Sequence, residues 1–360
     1  MTIFARRDAS GLVAALVIAA IGLASVAEVG AVAASKTDRL AARLDRLVVL
    51  GAPGALARFR NGRQVWIGRA GVADIASGRP IAASDAWRIA SVTKVVTAVL
   101  VIELARNKKL LLDAPISRYL PGIVPDGNRV TVRQLLNHTS GIAEYTADPR
   151  DPIQISAAEL VRDLRLPRSW QGSLAIARRL PKAGKPGGEY AYSNTNYVIL
   201  GQLIEAVTGR DYHDLVIDEF VRDLDLRSTG FPALDGRIPV QHLSGYVPAD
   251  GPDGPFSDRQ KLLDVTQHTY FLDADGGLYS NLDDLASMVD ALWSKRYAQG
   301  AAIRSQIKEM ISDHEGRYRY GLGIMERTLS CGTVVYGHEG LDLGIVTEVF
   351  TNRGNTKQLI

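Results

Sequence analysis

Apolar positions along this chain recur in several rhythms, and the changes of rhythm mark its organisation. A nearly unbroken apolar run fills residues 11–27 behind Arg6-Arg7. Leu40, Leu44, Leu47 and Val48 then fall at helical spacing with Arg39, Arg43 and Arg46 between them, which predicts an amphipathic helix ended by Gly51-Ala52-Pro53-Gly54. Residues 55–60 and 64–72 read as two strands joined at Asn61-Gly62, a dipeptide suited to a tight hairpin turn. A short apolar strand stops at Ile89, and a long helix starts at or near Ser91. Residues 110–119 read as an irregular connection and 130–137 as a short helix. Helical patterns dominate 156–222, at 157–166, 173–180, 196–207 and 212–221, and the Pro- and Gly-rich stretch 248–255 predicts a surface loop.

Toward the end, Gly276-Gly277-Leu278-Tyr279-Ser280 leads into a helix at 282–293, and another helix is expected at 303–311. Three strands are expected to close the chain, at 318–326, 333–336 and 344–351. Strands at both ends around a helical middle predict an α+β fold. One mostly antiparallel sheet is built from the two chain ends and flanked by helices, with an inserted, mostly helical lobe at about residues 105–270.

Composition changes this picture only at the N-terminus. Hydrophobic residues at 46% and charged ones at 22% are those of an ordinary soluble globular protein. A net charge of +3 without any basic run gives no reason to invoke nucleic acid. Residues 1–34 differ: the arginine pair, the apolar run and Ala31-Val32-Ala33 form the three-part layout of a secretory signal. Glu28 cuts the apolar part short of a comfortable membrane span, so a signal peptide is expected there, with an uncleaved anchor as the alternative. Residues 35–360 then form one exported domain, periplasmic or extracellular, touching a membrane only through that segment. Cys331 is the single cysteine, so no internal disulfide is available. No spacing of His, Cys and carboxylates suggests a metal site and no Gly-rich loop a phosphate site, so no cofactor is expected.

The candidate chemistry starts at Ser91-Val92-Thr93-Lys94. A serine at a helix start meets unpaired backbone N–H groups and the positive end of the helix dipole, which favour a developing oxyanion. Lys94, one turn on, places an amine beside a hydroxyl that is a poor nucleophile until a neighbour takes its proton. The same spacing recurs at Ser305–Lys308, where no strand precedes it. Tyr192-Ser193-Asn194 brings a phenol, a hydroxyl and an amide into one turn, and has a copy at Tyr279-Ser280-Asn281 whose position before Asp283 and Asp284 suits helix capping. His338-Glu339-Gly340 lies on or at the end of a strand, and its copy at His314-Glu315-Gly316 reads as a turn.

With Leu135-Leu136-Asn137-His138-Thr139-Ser140-Gly141 and Pro186-Gly187-Gly188-Glu189-Tyr190-Ala191-Tyr192-Ser193-Asn194 added, the chain from about residue 38 onward resembles the serine β-lactamase-like hydrolases. The branch is that of class C β-lactamases, D-alanyl-D-alanine carboxypeptidases, D-aminopeptidases and related esterases. The resemblance implies that Ser91 attacks a carbonyl and carries the acyl group, that Lys94 takes or relays its proton, and that Tyr192 completes proton transfer to the leaving group. Whether lysine or tyrosine is the base stays open at this point. It further implies that Asn194 bonds Lys94 and the substrate amide, and that the N–H groups of Ser91 and Leu341 form the oxyanion hole beside Gly340. His338, where β-lactamases carry lysine, anchors a carboxylate or joins a hydroxyl network. The Asn137–Gly141 run suits a helix end with local side-chain bonding, Glu339 a solvated or locally paired carboxylate, and His138, His242 and His268 ordinary polar positions.

Two departures stand out. No Lys-Thr-Gly occurs, and Glu339 replaces a small hydroxyl residue, which weakens recognition of a substrate carboxylate. Only 20 residues follow Gly340, so either the chain is shortened or its last strand and helix are absent, exposing apolar surface or a sheet edge. The expected function is an exported serine hydrolase acting on a small peptide, such as a D-Ala cell-wall peptide, or on a small ester. The alternatives are a non-catalytic penicillin-binding sensor or interaction protein, and a weak class C-like β-lactamase.

Overall fold

Helix α1, Lys36–Val49, starts at a capping box: the Ser35 hydroxyl accepts from the Asp38 N–H, and the Asp38 carboxylate accepts from the Ser35 N–H. None of its residues is buried. Its leucines lie on the hairpin of β1, Gly54–Asn61, and β2, Gln64–Gly71, where a Cβ on Gly68 would stand 2.8 Å from a Leu44 methyl. The computed structural model describes residues 35–150, 169–249, 261–270, 273–294, 310–313 and 316–360. Outside them lie the N-terminal 34 residues, the helix expected at 157–166, most of the loop at 248–255, most of the helix expected at 303–311, and Ser305, His314 and Glu315.

Strand β3, Trp87–Arg88, runs through the turn Ala90–Val92 into helix α2, Thr93–Arg106. The segment Thr-Lys-Val-Val-Thr-Ala-Val-Leu-Val-Ile is rich in β-branched residues, which lower helix propensity slightly. Packing overrides it. Every residue from Thr93 to Ile102 is buried, so α2 is the central helix, apolar all round rather than on one stripe. Helix α5, Asn194–Thr208, packs on it, and on α5 in turn pack α3, Val132–Leu136, capped by Thr131; α4, Trp170–Ala177, capped by Ser169; and α6, Tyr212–Val216, which continues as a wider turn to Arg222. Strands β4, Tyr246–Pro248, and β5, Leu262–Asp264, pair with each other, and β6, Tyr279–Ser280, pairs with β3. Helix α7, Leu282–Trp293, has the bounds the sequence pattern predicts.

The closing strands are β7, Ile311–Ser312; β8, Arg319–Tyr320; β9, Met325–Thr328; β10, Val334–Asp342; β11, Ile345–Asn352; and β12, Lys357–Leu359. With the first hairpin they make one antiparallel sheet in the order β2-β1-β12-β11-β10-β9-β8-β7. This is the β-lactamase/transpeptidase-like α+β arrangement, a sheet joined from both chain ends with helices inserted between.

Three expectations are corrected. The strand expected at 318–326 is a hairpin, because Gly323, at φ 83°, turns the chain between β8 and β9. Ile311 belongs to β7 rather than to a helix. The last strand is not missing. β12 fills the seam between β1 and β11, Arg58 and Ile360 exchange N–H···O bonds of 2.8 and 3.0 Å, and Ile360 is buried. Leu341, Val346 and Leu359 are 43, 43 and 38% exposed on one face of the sheet.

Candidate active site

Ser91 sits in the turn between β3 and α2. Its predecessor Ala90 takes φ 46°, an uncommon conformation for a residue with a side chain. Strand β10 passes close beside this turn. A Cβ on Gly340 would lie 2.1 Å from the Ile89 carbonyl oxygen, so only glycine admits the approach. Leu341 follows at the rim, with its side chain exposed.

Lys94, the second residue of α2, is fully buried. Its Nζ lies 2.9 Å from Ser91 Oγ, 2.7 Å from Asn194 Oδ1 and 2.5 Å from the Asp275 carbonyl oxygen. Burial lowers its pKa to about 8, although Asp275 and Glu144 pull the other way. Tyr192 OH lies 3.0 Å from the same Ser91 Oγ. Burial pushes the Tyr192 phenol well above its ordinary 10, outweighing the bond to Ser91, so the group is neutral across the usual working range. The structure thus brings Ser91 and Lys94 together with Tyr192 and Asn194 from a second segment, with Gly340 and Leu341 alongside from a third.

Two supports hold this cluster. His138, buried with φ 60° at the end of α3, stacks on Tyr192 with ring centroids 4.2 Å apart and accepts the Ser193 N–H at Nδ1, 3.1 Å. Around it, Asn137 Oδ1 accepts from Thr139, the local bonding this run was expected to make, while Ser140 Oγ donates to Asn196 Oδ1 in α5, a bond to a distant segment. The second support is Glu144, absent from the sequence-based candidates. Its carboxylate accepts from the Asn194 backbone N–H, from Asn194 Nδ2 at 3.2 Å and from both the N–H and hydroxyl of Thr146. Burial raises its pKa, and those bonds and Lys94 oppose the rise. One glutamate three residues past Gly141 carries no spacing signal; only the fold brings it to the start of α5.

His338 is 1% exposed. Its Nδ1 lies 2.5 Å from the Glu339 carbonyl oxygen and its Nε2 2.9 Å from Tyr320 OH, so both ring nitrogens are engaged. Burial drives its pKa to about 3, which leaves no charge with which to hold a carboxylate. Of its two implied roles, this geometry fits the hydroxyl network: Tyr320 joins Tyr190, Tyr192 and His138 in one aromatic cluster. Glu339 is paired with Arg327, which also reaches Glu348 at 3.2 Å and lies over the Phe350 ring. The Tyr279 copy stands elsewhere, with Ser280 bonded to Thr229 and Asn281 capping α7. Among the described residues no group of three or more His, Cys, Asp or Glu could hold a metal ion.

A sheet joined from both chain ends, with a serine, lysine and tyrosine meeting beside its inner strand β10, has the arrangement of an active-site-serine hydrolase. The chain belongs to the Beta-lactamase family, which it matches over residues 40–356. It is similar to Esterase EstB of Burkholderia gladioli, 29% identical over 82% of this chain and 78% of that protein. It is similar also to Penicillin-binding protein 4* of Bacillus subtilis, 25% identical over 81% of this chain but only 63% of the relative. Among solved structures, a D-stereospecific amidohydrolase from Streptomyces superposes with TM-score 0.78 at 32% identity, covering 88% of this chain and 90% of that one.

Proposed function

We propose that the chain is an exported serine hydrolase that forms an acyl-enzyme on Ser91 and releases it to water. The observation that carries this is the environment of Lys94 Nζ. A neutral amine has two N–H bonds and one lone pair. As an ammonium, Nζ donates to Ser91 Oγ, Asn194 Oδ1 and the Asp275 carbonyl oxygen; once deprotonated it keeps the last two as acceptors and turns its lone pair to the Ser91 hydroxyl 2.9 Å away. Lys94 is therefore the base, since its pKa is lowered toward neutrality while that of the Tyr192 phenol is raised.

Ser91 Oγ attacks the substrate carbonyl carbon as its proton passes to Lys94. The charge that develops on the carbonyl oxygen faces the N–H groups of Ser91 and Leu341. As the carbon–nitrogen or carbon–oxygen bond breaks, the proton returns through Tyr192 to the leaving group. Water then repeats the sequence on the Ser91 ester. A neutral, buried His338 and a Glu339 neutralised by Arg327 offer no cation to a substrate carboxylate, which favours esters and D-amino-acid amides over β-lactams. The esterase and the D-stereospecific amidohydrolase among the similar proteins support the same choice.

Intact mass after incubation with a fluorophosphonate, and separately with a penicillin, tests this reading. Wild type gains one adduct with the fluorophosphonate that Ser91→Ala does not, and a penicillin adduct, where it forms, decays with time. A penicillin adduct that persists identifies a trapped binder; no adduct on folded protein removes the enzyme reading. For the first 34 residues, the proposed export expects a mature N-terminus just after Ala33. A membrane-bound chain that still begins at Met1 would identify an anchor.

A further inference from the structure

A second buried polar group stands beside the site, used by none of the steps above. Arg88 is 2% exposed three residues before Ser91, and its Nη2 donates to the Gly236 and His268 carbonyl oxygens, each at 2.7 Å. Its Nε donates to the Thr266 carbonyl oxygen at 3.3 Å. His268 accepts the Tyr270 N–H at Nδ1, 3.3 Å, which leaves the proton on Nε2, and Nε2 stands 2.9 Å from Asp342 Oδ1 as a close contact out of hydrogen-bond alignment. Asp342 Oδ1 accepts the Leu343 N–H at 2.7 Å, while its Oδ2 has no hydrogen-bond partner. Burial pushes the Asp342 carboxyl up, but His268 and Arg88 outweigh it and hold it below the ordinary carboxylate range.

A carboxylate and a guanidinium taken this far from water depend on a fixed set of partners, which Arg88 finds in three carbonyl oxygens and Asp342 Oδ1 in the Leu343 N–H and the His268 ring. The arrangement here spans the two strands that matter. Arg88 lies in β3, which delivers Ser91, and Asp342 is the residue after Leu341 in β10. Trp87 Nε1 also ties β3 to β11, the neighbour of β10, by donating to Thr347 Oγ1 at 2.8 Å, and Gly340 of β10 comes close to the Ile89 carbonyl oxygen. We infer that Arg88, His268 and Asp342 are positioning residues that lock β10 against the nucleophile strand and so hold the Leu341 N–H at the oxyanion position. This rests on the reading of Ser91 as nucleophile. His268 is then no ordinary polar filler.

The test uses phenylboronic acid and p-nitrophenyl acetate on the full chain. Boron accepts the Ser91 oxygen and forms one B–O bond while the hydroxyl proton passes to Lys94, giving a tetrahedral anion with an oxygen at the oxyanion position. Asp342→Asn is expected to weaken boronate binding and to lower kcat by about 10²-fold, the cost of displacing a reacting geometry by about 1 Å. KM is expected to stay within about twofold, because ground-state binding is untouched. Should that variant not fold, His268→Gln, which keeps an N–H for Asp342, is compared with His268→Leu, which does not. Retained boronate affinity in the first and its loss in the second supports the inference. It is overturned by folded Asp342→Asn with wild-type boronate affinity, or by equal affinity in the two His268 variants. A wild type that binds no boronate removes the nucleophile reading itself, and the inference falls with it.

Discussion

The triplet Tyr-Ser-Asn precedes a helix twice in this chain, at residues 192–194 and 279–281. In the second copy Asn281 is the N-cap, and its Oδ1 accepts the Asp284 N–H at 2.9 Å. In the first copy the helix starts one residue earlier, with Ser193 as the cap position and Asn194 as the first helical residue. Ser193 does not cap with its side chain, which donates instead to the Ala143 carbonyl oxygen. Glu144 takes the Asn194 N–H from outside, a carboxylate at the positive end of the α5 dipole. Asn194 Oδ1 is thereby released from capping and turned to Lys94. A one-residue difference in where the helix begins converts the same amide from a structural group into a partner of the buried amine.

The comparison breaks most visibly at its tyrosines. Tyr192→Phe is expected to lower kcat/KM by about 10²–10³-fold, the range for a positioned proton-transfer group. Tyr279→Phe, whose hydroxyl faces Gly230 away from the cluster, leaves kcat/KM unchanged. Full turnover in Tyr192→Phe would reduce the phenol to a packing group on His138.

The pH profile sharpens the division of labour between amine and phenol. Below about 8 Lys94 carries its proton and has no lone pair for Ser91; above it the amine is free. Thus kcat/KM is expected to climb about tenfold per pH unit and level off near 8, roughly 10²-fold above its value at pH 6. A rise that continues past pH 10 would assign the base to Tyr192 instead.

Much of this was legible in the sequence because it depends on local spacing. Ser91 and Lys94 lie three residues apart where one turn runs into one helix, and Asp283 and Asp284 after Asn281 mark that copy as a cap. What was not legible depends on distant segments meeting. Glu144 acts only because α5 begins against its loop, and Arg88, His268 and Asp342 come from three places in the chain. The charge state of His338 also escaped, since a histidine in place of a lysine does not reveal that burial keeps it neutral. β12 was missed for a related reason: three residues after a turn carry too short a pattern, and the strand exists because β1 and β11 stand ready on either side.

The two asparagines make the smallest and most discriminating pair. Asn281→Ala removes a side-chain cap and is expected to cost about 1 kcal/mol of stability, read as a lower denaturant midpoint at unchanged kcat/KM. Asn194→Ala removes no side-chain cap, because Glu144 still receives the backbone N–H of residue 194. It does leave one Lys94 N–H without its acceptor, a loss of about 1.4 kcal/mol for one such bond, or about tenfold in kcat/KM. The two variants should separate cleanly, one moving the midpoint and the other the rate. If Asn194→Ala moved the midpoint and spared the rate, the two triplets would be the same capping device after all, and the orientation of Lys94 would have to come from the Asp275 carbonyl alone.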